Sequence, residues 1–165
     1  RSTALTGLII AAANGVFSTM LFGRLSDKVG RKPVYLTGSI LVMAFAFPMF
    51  LLVNTGNSLL IVLVYIIGMA VIHDALAGTQ GAWFSELFDT NTRSSGASIG
   101  YQFSAAISGF IPLIATAIAI PLGWGGVALV YMGVGLLGVI GTLVTKETWG
   151  PARRAEIDAL VNGRS

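Results

Sequence analysis

The chain has 165 residues, of which 55% are hydrophobic and 10% are charged, and its net charge is +3. A soluble domain carries about 25% charged residues, so this composition excludes a soluble enzyme, a disordered segment and a nucleic-acid-binding domain, and it predicts an integral membrane protein. With no cysteine, a single histidine and no phosphate-binding loop in the sequence, we expect no disulfide, no metal and no cofactor.

Five membrane-spanning helices are predicted from the spacing of the charges. Charged residues are absent between Arg1 and Arg24, between Lys32 and Asp74, and between Arg93 and Lys146. A span needs about 20 mostly apolar residues, and turn residues at 54–58 and 121–126 divide the two longer stretches. The predicted spans are 3–23, 34–53, 59–84, 98–120 and 127–145. Residues 1–149 are therefore expected to form an all-α transmembrane bundle, followed by a cytoplasmic tail at 150–165.

Basic residues are divided unevenly between the two sides of this bundle. One side receives Arg24, Lys28, Arg31, Lys32, Arg93, Lys146, Arg153, Arg154 and Arg164, and the other receives Arg1. The positive-inside rule places the first side and the C-terminus in the cytoplasm, with the spans in the plasma (inner) membrane. The N-terminus then lies outside without a cleavable signal before the first span, so we expect a fragment that lacks at least one upstream span.

The loop after the first predicted span carries an ordered motif, Gly23-Arg24-Leu25-Ser26-Asp27-Lys28-Val29-Gly30-Arg31-Lys32-Pro33. Gly23 allows close approach of two helices, Gly30 permits a backbone reversal, and Asp27 can pair with Arg31. In the alternative interpretation, the basic residues only determine topology. The loop resembles the G-x-L-[SA]-D-[RK]-x-G-R-[RK]-P signature of the major facilitator superfamily, where it joins the second and third helices of each six-helix half.

Two further elements resemble the same superfamily. Glu86 and Arg93 match the E-x6-R element between the fourth and fifth helices of a half, and Glu147 with Thr148 is similar to the end of its last helix. The resemblance implies a gating latch on the inner face, formed by Gly23, Asp27, Gly30, Arg31, Lys32, Glu86, Arg93 and Glu147. Such a network can bias a two-state equilibrium by a few kcal/mol. In the alternative interpretation, these residues are only solvated charges in loops.

The third predicted span contains His73 and Asp74 near the middle of the bilayer. A charged side chain there costs about 2.5–3.5 kcal/mol, so both should face protein or a water-filled cavity. Helical spacing places Asp74 among small residues and His73 on the face of Gln80, opposite Ile72 and Leu76. We interpret the pair as a proton or substrate site, because histidine titrates near neutral pH; a structural hydrogen-bonded pair is the alternative. Weaker candidates for the pathway are Gln80, Asn14, Gln102 and Ser104.

Two stretches show a narrower resemblance. Residues 30–36 read GRKPVYL, and residues 86–102 begin with ELF and end with RSSGASIGYQ. Both stretches are similar to sequences of the metabolite:proton symporter family, which belongs to the same superfamily. The resemblance implies that the chain corresponds to about helices 8–12 of twelve, as part of the C-terminal six-helix half bundle. The N-terminal half would then be a missing partner.

This family resemblance implies a secondary active transporter rather than an enzyme. It implies alternating access across the lipid bilayer and symport of a proton with a small polar metabolite, either an organic acid or a zwitterionic osmolyte. Nucleic acid is not an expected partner. The alternative is a truncated membrane module that does not transport and only packs with a partner half.

Overall fold

The computed structural model describes residues 2–89 and 91–150, together with Arg153, Ala155, Ala159 and Asn162. Within these residues the chain forms helices and no strand. They are α1 (Ser2–Val29), α2 (Arg31–Asn54), α3 (Ser58–Tyr65), a π-helix (Ile66–His73), α4 (Asp74–Glu86), α5 (Arg93–Ser108) and α6 (Ile111–Val144). The predicted tail at 150–165 lies largely outside the described residues.

Four helical stretches of the described chain are long and apolar enough to cross a membrane. They are Leu5–Val29, Arg31–Asn54, Ser58–Glu86 and Arg93–Val144. The all-helical membrane class is confirmed, and the first three stretches match the first three predicted spans. The fourth and fifth predicted spans both lie in the last stretch of 52 residues, so the structure does not reproduce a count of five separate spans.

The last stretch changes direction at Gly123. The backbone there has φ 61° and ψ −156°, in the left-handed region that glycine adopts without steric cost. A Cβ added to Gly126 would lie 2.5 Å from Cγ2 of Ile118. A straight helix would separate residues eight positions apart by about 12 Å. The chain therefore reverses at the turn predicted at 121–126, although helical structure continues on both sides of it.

Small residues bring α1 close to α4. Ala11 of α1 is fully buried, and a Cβ added to Gly23 would lie 3.4 Å from the carbonyl oxygen of Gly78. In the opposite direction, a Cβ added to Gly78 would lie only 2.5 Å from the carbonyl oxygen of Thr19. Helices in lipid associate through such close contacts, because there is little hydrophobic drive between them. This contact presses the start of α4 against the middle of α1.

Replacement of Gly78 with Ala is expected to destabilise the bundle by about 1–3 kcal/mol, because the added methyl group would displace the backbone of α1. The measurement is thermal unfolding of the purified protein in detergent. Gly81→Ala is the matched control, since a Cβ at Gly81 of the same helix meets no atom within 4 Å. Equal unfolding temperatures for the two variants would contradict the close α1–α4 contact.

The part of α6 after the reversal packs along α2. Cβ atoms added to Gly135 and Gly138 would lie 2.8 Å from the Met43 nitrogen and from the Ser39 hydroxyl, respectively. Further along these two helices, the rings of Phe50 and Tyr131 meet edge to face, with their centroids 5.7 Å apart. This packing brings the end of α6 beside the beginning of α2.

In contrast, α5 packs against α4, and none of the residues 93–108 is buried. Large apolar side chains, including Ile99 and Phe103, are exposed along it. The end of the bundle that contains the turn at Gly30, the end of α4 at Glu86, the beginning of α5 at Arg93 and residues 145–149 is called the charged end below. The turns at 54–58 and 121–126 lie at the opposite end.

Candidate functional site

The charged end is organised around the junction of α1 and α2. α1 continues to Val29, beyond the predicted end of the first span at residue 23. The chain turns into α2 at Gly30, whose φ of 120° lies in the left-handed region and whose N–H donates to the carbonyl oxygen of Ser26 at 3.0 Å. Asp27 and Arg31 therefore lie on either side of a tight turn.

Arg31 is the centre of a charged cluster at this end. Its guanidinium lies 2.6 Å from Oδ1 of Asp27 and 3.2 Å from Oε1 of Glu86, and Nη1 donates to the Ser26 hydroxyl at 2.7 Å. The Arg31 side chain is 8% exposed, whereas those of Asp27 and Glu86 are 53% and 23% exposed. Its Cζ atom lies 5.5 Å from the centre of the Trp149 ring, within cation–π range. One buried cation is therefore shared by two carboxylates.

Glu147 caps the beginning of α2. The preceding residue, Gly30, has no side chain to act as an N-cap. Instead, the Glu147 carboxylate accepts hydrogen bonds from the backbone N–H groups of Arg31 at 3.1 Å and Lys32 at 2.9 Å. A negative charge at a helix N-terminus is also favoured by the helix dipole. A Cβ on Gly30 would lie 2.9 Å from this carboxylate, so the glycine leaves the space that the cap occupies.

Lys32 makes the reciprocal contact at the end of α6. Its Nζ donates to the carbonyl oxygens of Leu143 at 3.0 Å and Thr145 at 2.9 Å. Carbonyl groups in the last turn of a helix have no partner within the helix, and a cation there complements the dipole. The beginning of α2 and the end of α6 therefore cap each other, an arrangement that the sequence analysis did not predict.

Three residues that the sequence analysis left out of the latch also join the cluster. Ser26 binds Arg31, the Thr148 hydroxyl donates to Oε2 of Glu86 at 2.5 Å, and the Trp149 indole donates to the carbonyl oxygen of Asp27 at 2.8 Å. These contacts tie residues 145–149 to both α1 and α4. In the sequence, Ser26 lies next to Asp27, and Thr148 and Trp149 follow Glu147 directly. This position beside charged latch residues is the signal that could have identified them.

Arg93 is less closely connected with the cluster. It lines a cavity of about 510 Å³ together with Glu86 and Thr148. Within the described part of the chain, no ion pair joins Arg93 to Glu86. The structure thus brings Asp27, Arg31, Lys32, Glu86 and Glu147 into direct contact across Gly30, and it places Arg93 at their border.

Asp74 is the first residue of α4 and is buried against α1. Its side chain is 7% exposed; Oδ2 accepts a hydrogen bond from the Ser18 hydroxyl, and Oδ1 lies 3.1 Å from Nδ1 of His73. On α1, a Cβ added to Gly15 would lie 3.3 Å from Oδ2, so this glycine leaves room for the carboxylate. The structure therefore places Asp74 among small residues, on the face that the helical spacing indicated.

His73 lies next to Asp74, at the end of the π-helix at Ile66–His73. Its side chain is 63% exposed, and it borders a cavity of about 170 Å³ with Ile72, Leu76 and Tyr131, whereas Gln80 lines a different cavity. We found no signal of the π-helix in the sequence.

The weaker pathway candidates are partly brought together. Gln80 and Gln102 line one cavity of about 270 Å³ between α4 and α5, about 9 Å along α4 from Asp74. Ser104 lies further along α5 and is exposed. Asn14 lies one turn before Ser18 and donates from its side chain to the carbonyl oxygen of Ile10 at 2.9 Å.

Comparison with known proteins identifies transporters. A family model described as "Sugar (and other) transporter" matches residues 1–150. The shikimate transporter of Escherichia coli (strain K12) is 32% identical over 130 residues, which cover 77% of this chain and 30% of that protein. The proline/betaine transporter of Salmonella typhimurium is 32% identical over 109 residues, 66% of this chain and 22% of that protein. The citrate-proton symporter of Klebsiella pneumoniae is 27% identical over 118 residues, which cover 71% of this chain and 27% of that protein. The chain spans less than a third of each relative, and no solved structure matches it.

Proposed function

The chain belongs to the sugar (and other) transporter family of the major facilitator superfamily, and from this membership we propose that it forms part of a secondary active transporter working by alternating access. The match of the family model over residues 1–150 is the observation that carries the proposal. The curated relatives are transporters, which favours transport over an enzymatic activity.

We further propose five spans, with the two predicted after residue 93 separated by the reversal at Gly123. These would correspond to about helices 8–12 of a twelve-helix transporter in the plasma (inner) membrane. Two observations support a missing partner half: the chain covers less than a third of the three relatives named above, and α5 has no buried residue. The charged end would face the cytoplasm, because it contains the predicted inner loops.

Cysteine labelling tests this orientation, because the chain has no cysteine of its own. We expect Asn57→Cys and Gly125→Cys, at the opposite end, to react with a membrane-impermeant maleimide in intact cells. Lys28→Cys should react only after the membrane is permeabilised. Labelling of Lys28→Cys in intact cells, with protection of the other two positions, would invert the topology.

The proposed substrate is an organic acid or a zwitterionic osmolyte, taken up with a proton. The support comes from relatives named for shikimate, for proline and betaine, and for citrate with a proton. The buried Asp74 is the proposed proton site, since its carboxylate lies within the helix bundle between Ser18 and His73. The cavity at Gln80 and Gln102 is the proposed part of the substrate pathway.

The charged cluster is the proposed latch of the inward-closed state. Its contacts join the α1–α2 turn to the end of α4 through Glu86 and to the segment after α6 through Glu147. Three segments of this half bundle are thus held together at one end. An exposed ion pair contributes little to the stability of a conformation, roughly 0–1 kcal/mol. Arg31 is buried and is shared by two carboxylates, so its contacts should stabilise the closed state by more than this.

Proton-driven uptake tests the proposed function. Membrane vesicles containing the full-length transporter are given radiolabelled shikimate, betaine or citrate, with and without an inward proton gradient. We expect accumulation of at least one compound that a protonophore abolishes. Uptake that ignores the gradient would contradict symport, and a lack of any transport at normal membrane abundance would favour the alternative of a packing module.

A further inference from the structure

Ser18 has two hydrogen-bond acceptors within reach of a single hydroxyl proton. Its Oγ atom contacts Oδ2 of Asp74 on the neighbouring helix, and it lies 3.0 Å from the backbone carbonyl oxygen of Asn14 in its own helix. A serine hydroxyl has one hydrogen to donate and two lone pairs with which it can accept. At any moment Ser18 can therefore donate to Asp74 or to Asn14, but not to both.

We propose that Ser18 is a positioning residue that exchanges these two hydrogen bonds when Asp74 gains or loses a proton. The inference rests on the proposed function, in which Asp74 carries the coupled proton. An ionised carboxylate only accepts hydrogen bonds, so Ser18 donates to it. When a proton binds Oδ2, the neutral acid donates to the Ser18 oxygen, and Ser18 turns its own hydrogen to the carbonyl of Asn14. One proton enters at Asp74, and no covalent bond of Ser18 is broken.

The exchange reverses the direction of the hydrogen bond between the two helices and adds a hydrogen bond within the backbone of α1. A serine hydroxyl that bonds the carbonyl four residues earlier weakens and bends a helix. Here the bend would occur where α1 is tightly packed, because a Cβ on Gly15 would lie 3.3 Å from Oδ2 of Asp74 and the Thr19 carbonyl faces Gly78. Protonation of Asp74 would thereby change both the link between α1 and α4 and the shape of α1.

Few other titratable groups can interfere with this exchange. His73 is the ion-pair neighbour of Asp74 among the described residues. The nearest charge along α1 is Arg24, about 9 Å beyond Ser18 along the helix axis. The remaining titratable groups on the elements around α4 are Asp27 and Lys28 on α1, Arg31, Lys32 and Tyr35 on α2, Tyr65 on α3, and Arg93 and Tyr101 on α5. None of them forms an ion pair with Asp74 within the described ranges.

Infrared titration of the purified chain in lipid vesicles tests the exchange without requiring transport. The C=O band of protonated Asp74 is identified as the band that Asp74→Asn removes. In Ser18→Ala the ionised form loses a charge-assisted hydrogen bond, whereas the neutral acid can still bond Nδ1 of His73. We therefore expect the midpoint of the band's titration to differ from that of the unmodified chain. The band should also move to a different frequency, because the acid has lost its Ser18 acceptor.

Three further variants separate the hydrogen-bond role from packing. Ser18→Thr keeps the hydroxyl and should keep the midpoint, and Ser18→Cys, with a weak donor of similar size, should give an intermediate shift even if Ser18→Ala fails to fold. Thr37→Ala removes a hydroxyl bonded to the carbonyl of Pro33 on α2 and should leave the band of Asp74 unchanged.

The inference is overturned if Ser18→Ala or Ser18→Cys leaves both midpoint and frequency unchanged, or if Ser18→Thr shifts them as much as Ser18→Ala. Its failure is distinguishable from failure of the proposed function. Proton-coupled uptake with an unaltered titration in Ser18→Ala contradicts this inference alone. The expected shift in a transporter whose uptake ignores the proton gradient supports the hydrogen-bond exchange and contradicts the proposed symport.

Discussion

Asp74→Asn is expected to abolish proton-driven accumulation of substrate by the full-length transporter while leaving exchange across the membrane. The amide is nearly the same size and can still accept from Ser18, but it cannot bind and release a proton at neutral pH. One pH unit of gradient supplies about 1.4 kcal/mol per proton, enough for roughly tenfold accumulation. The variant should lose this factor and only equilibrate its substrate.

The measurement is the ratio of internal to external labelled substrate in vesicles at several imposed proton gradients, normalised to the amount of protein in the membrane. Asp89→Asn is the matched control, because Asp89 is exposed in the loop between α4 and α5. The control should accumulate substrate like the unmodified protein. Full gradient-dependent accumulation by Asp74→Asn would exclude α4 as the location of the proton site.

Arg31→Ala is expected to open the charged end and to lower the rate of uptake by at least about tenfold. The variant leaves the carboxylates of Asp27 and Glu86 without their shared cation. Removing one partner of a buried ion pair costs about 3–5 kcal/mol, and the cost here should be somewhat smaller because Asp27 is half exposed. A shift of about 1.4 kcal/mol in the balance between closed and open states already changes their ratio tenfold.

Uptake rate and the reactivity of a cysteine are measured together for this prediction. A cysteine introduced at Ser98, which lines the cavity between α4 and α5, should react faster with a reagent applied from the cytoplasmic side. Arg24→Ala is the matched control, since Arg24 carries the same charge in the last two turns of α1 and is exposed. If both variants lose activity equally, the loop contributes only its positive charge and the latch proposal is wrong.

The membrane class and the positions of the first three spans were predictable from the sequence alone. Long charge-free stretches are a local property of the chain, because each residue in a bilayer must be apolar or have a partner wherever the fold places it. The loop motif from Gly23 to Pro33 and the pair Glu86 and Arg93 indicated the superfamily for a similar reason, since they are short and ordered in the sequence. Asp74 could be assigned to a small-residue face because the regular helix of α4 begins at that residue.

Only the tertiary structure decided which groups meet. The Glu147 carboxylate caps an α2 that begins 116 positions earlier in the chain, and Ser18 binds an aspartate 56 positions later. Hydropathy and periodicity contain no information on contacts at such separations, because these contacts depend on which helix faces pack together. The hydrogen-bond pattern of the π-helix at Ile66–His73 is likewise not visible in the apolar residues that form it. The sequence therefore determined what kind of helices this protein has, and packing determined the partner of each charge.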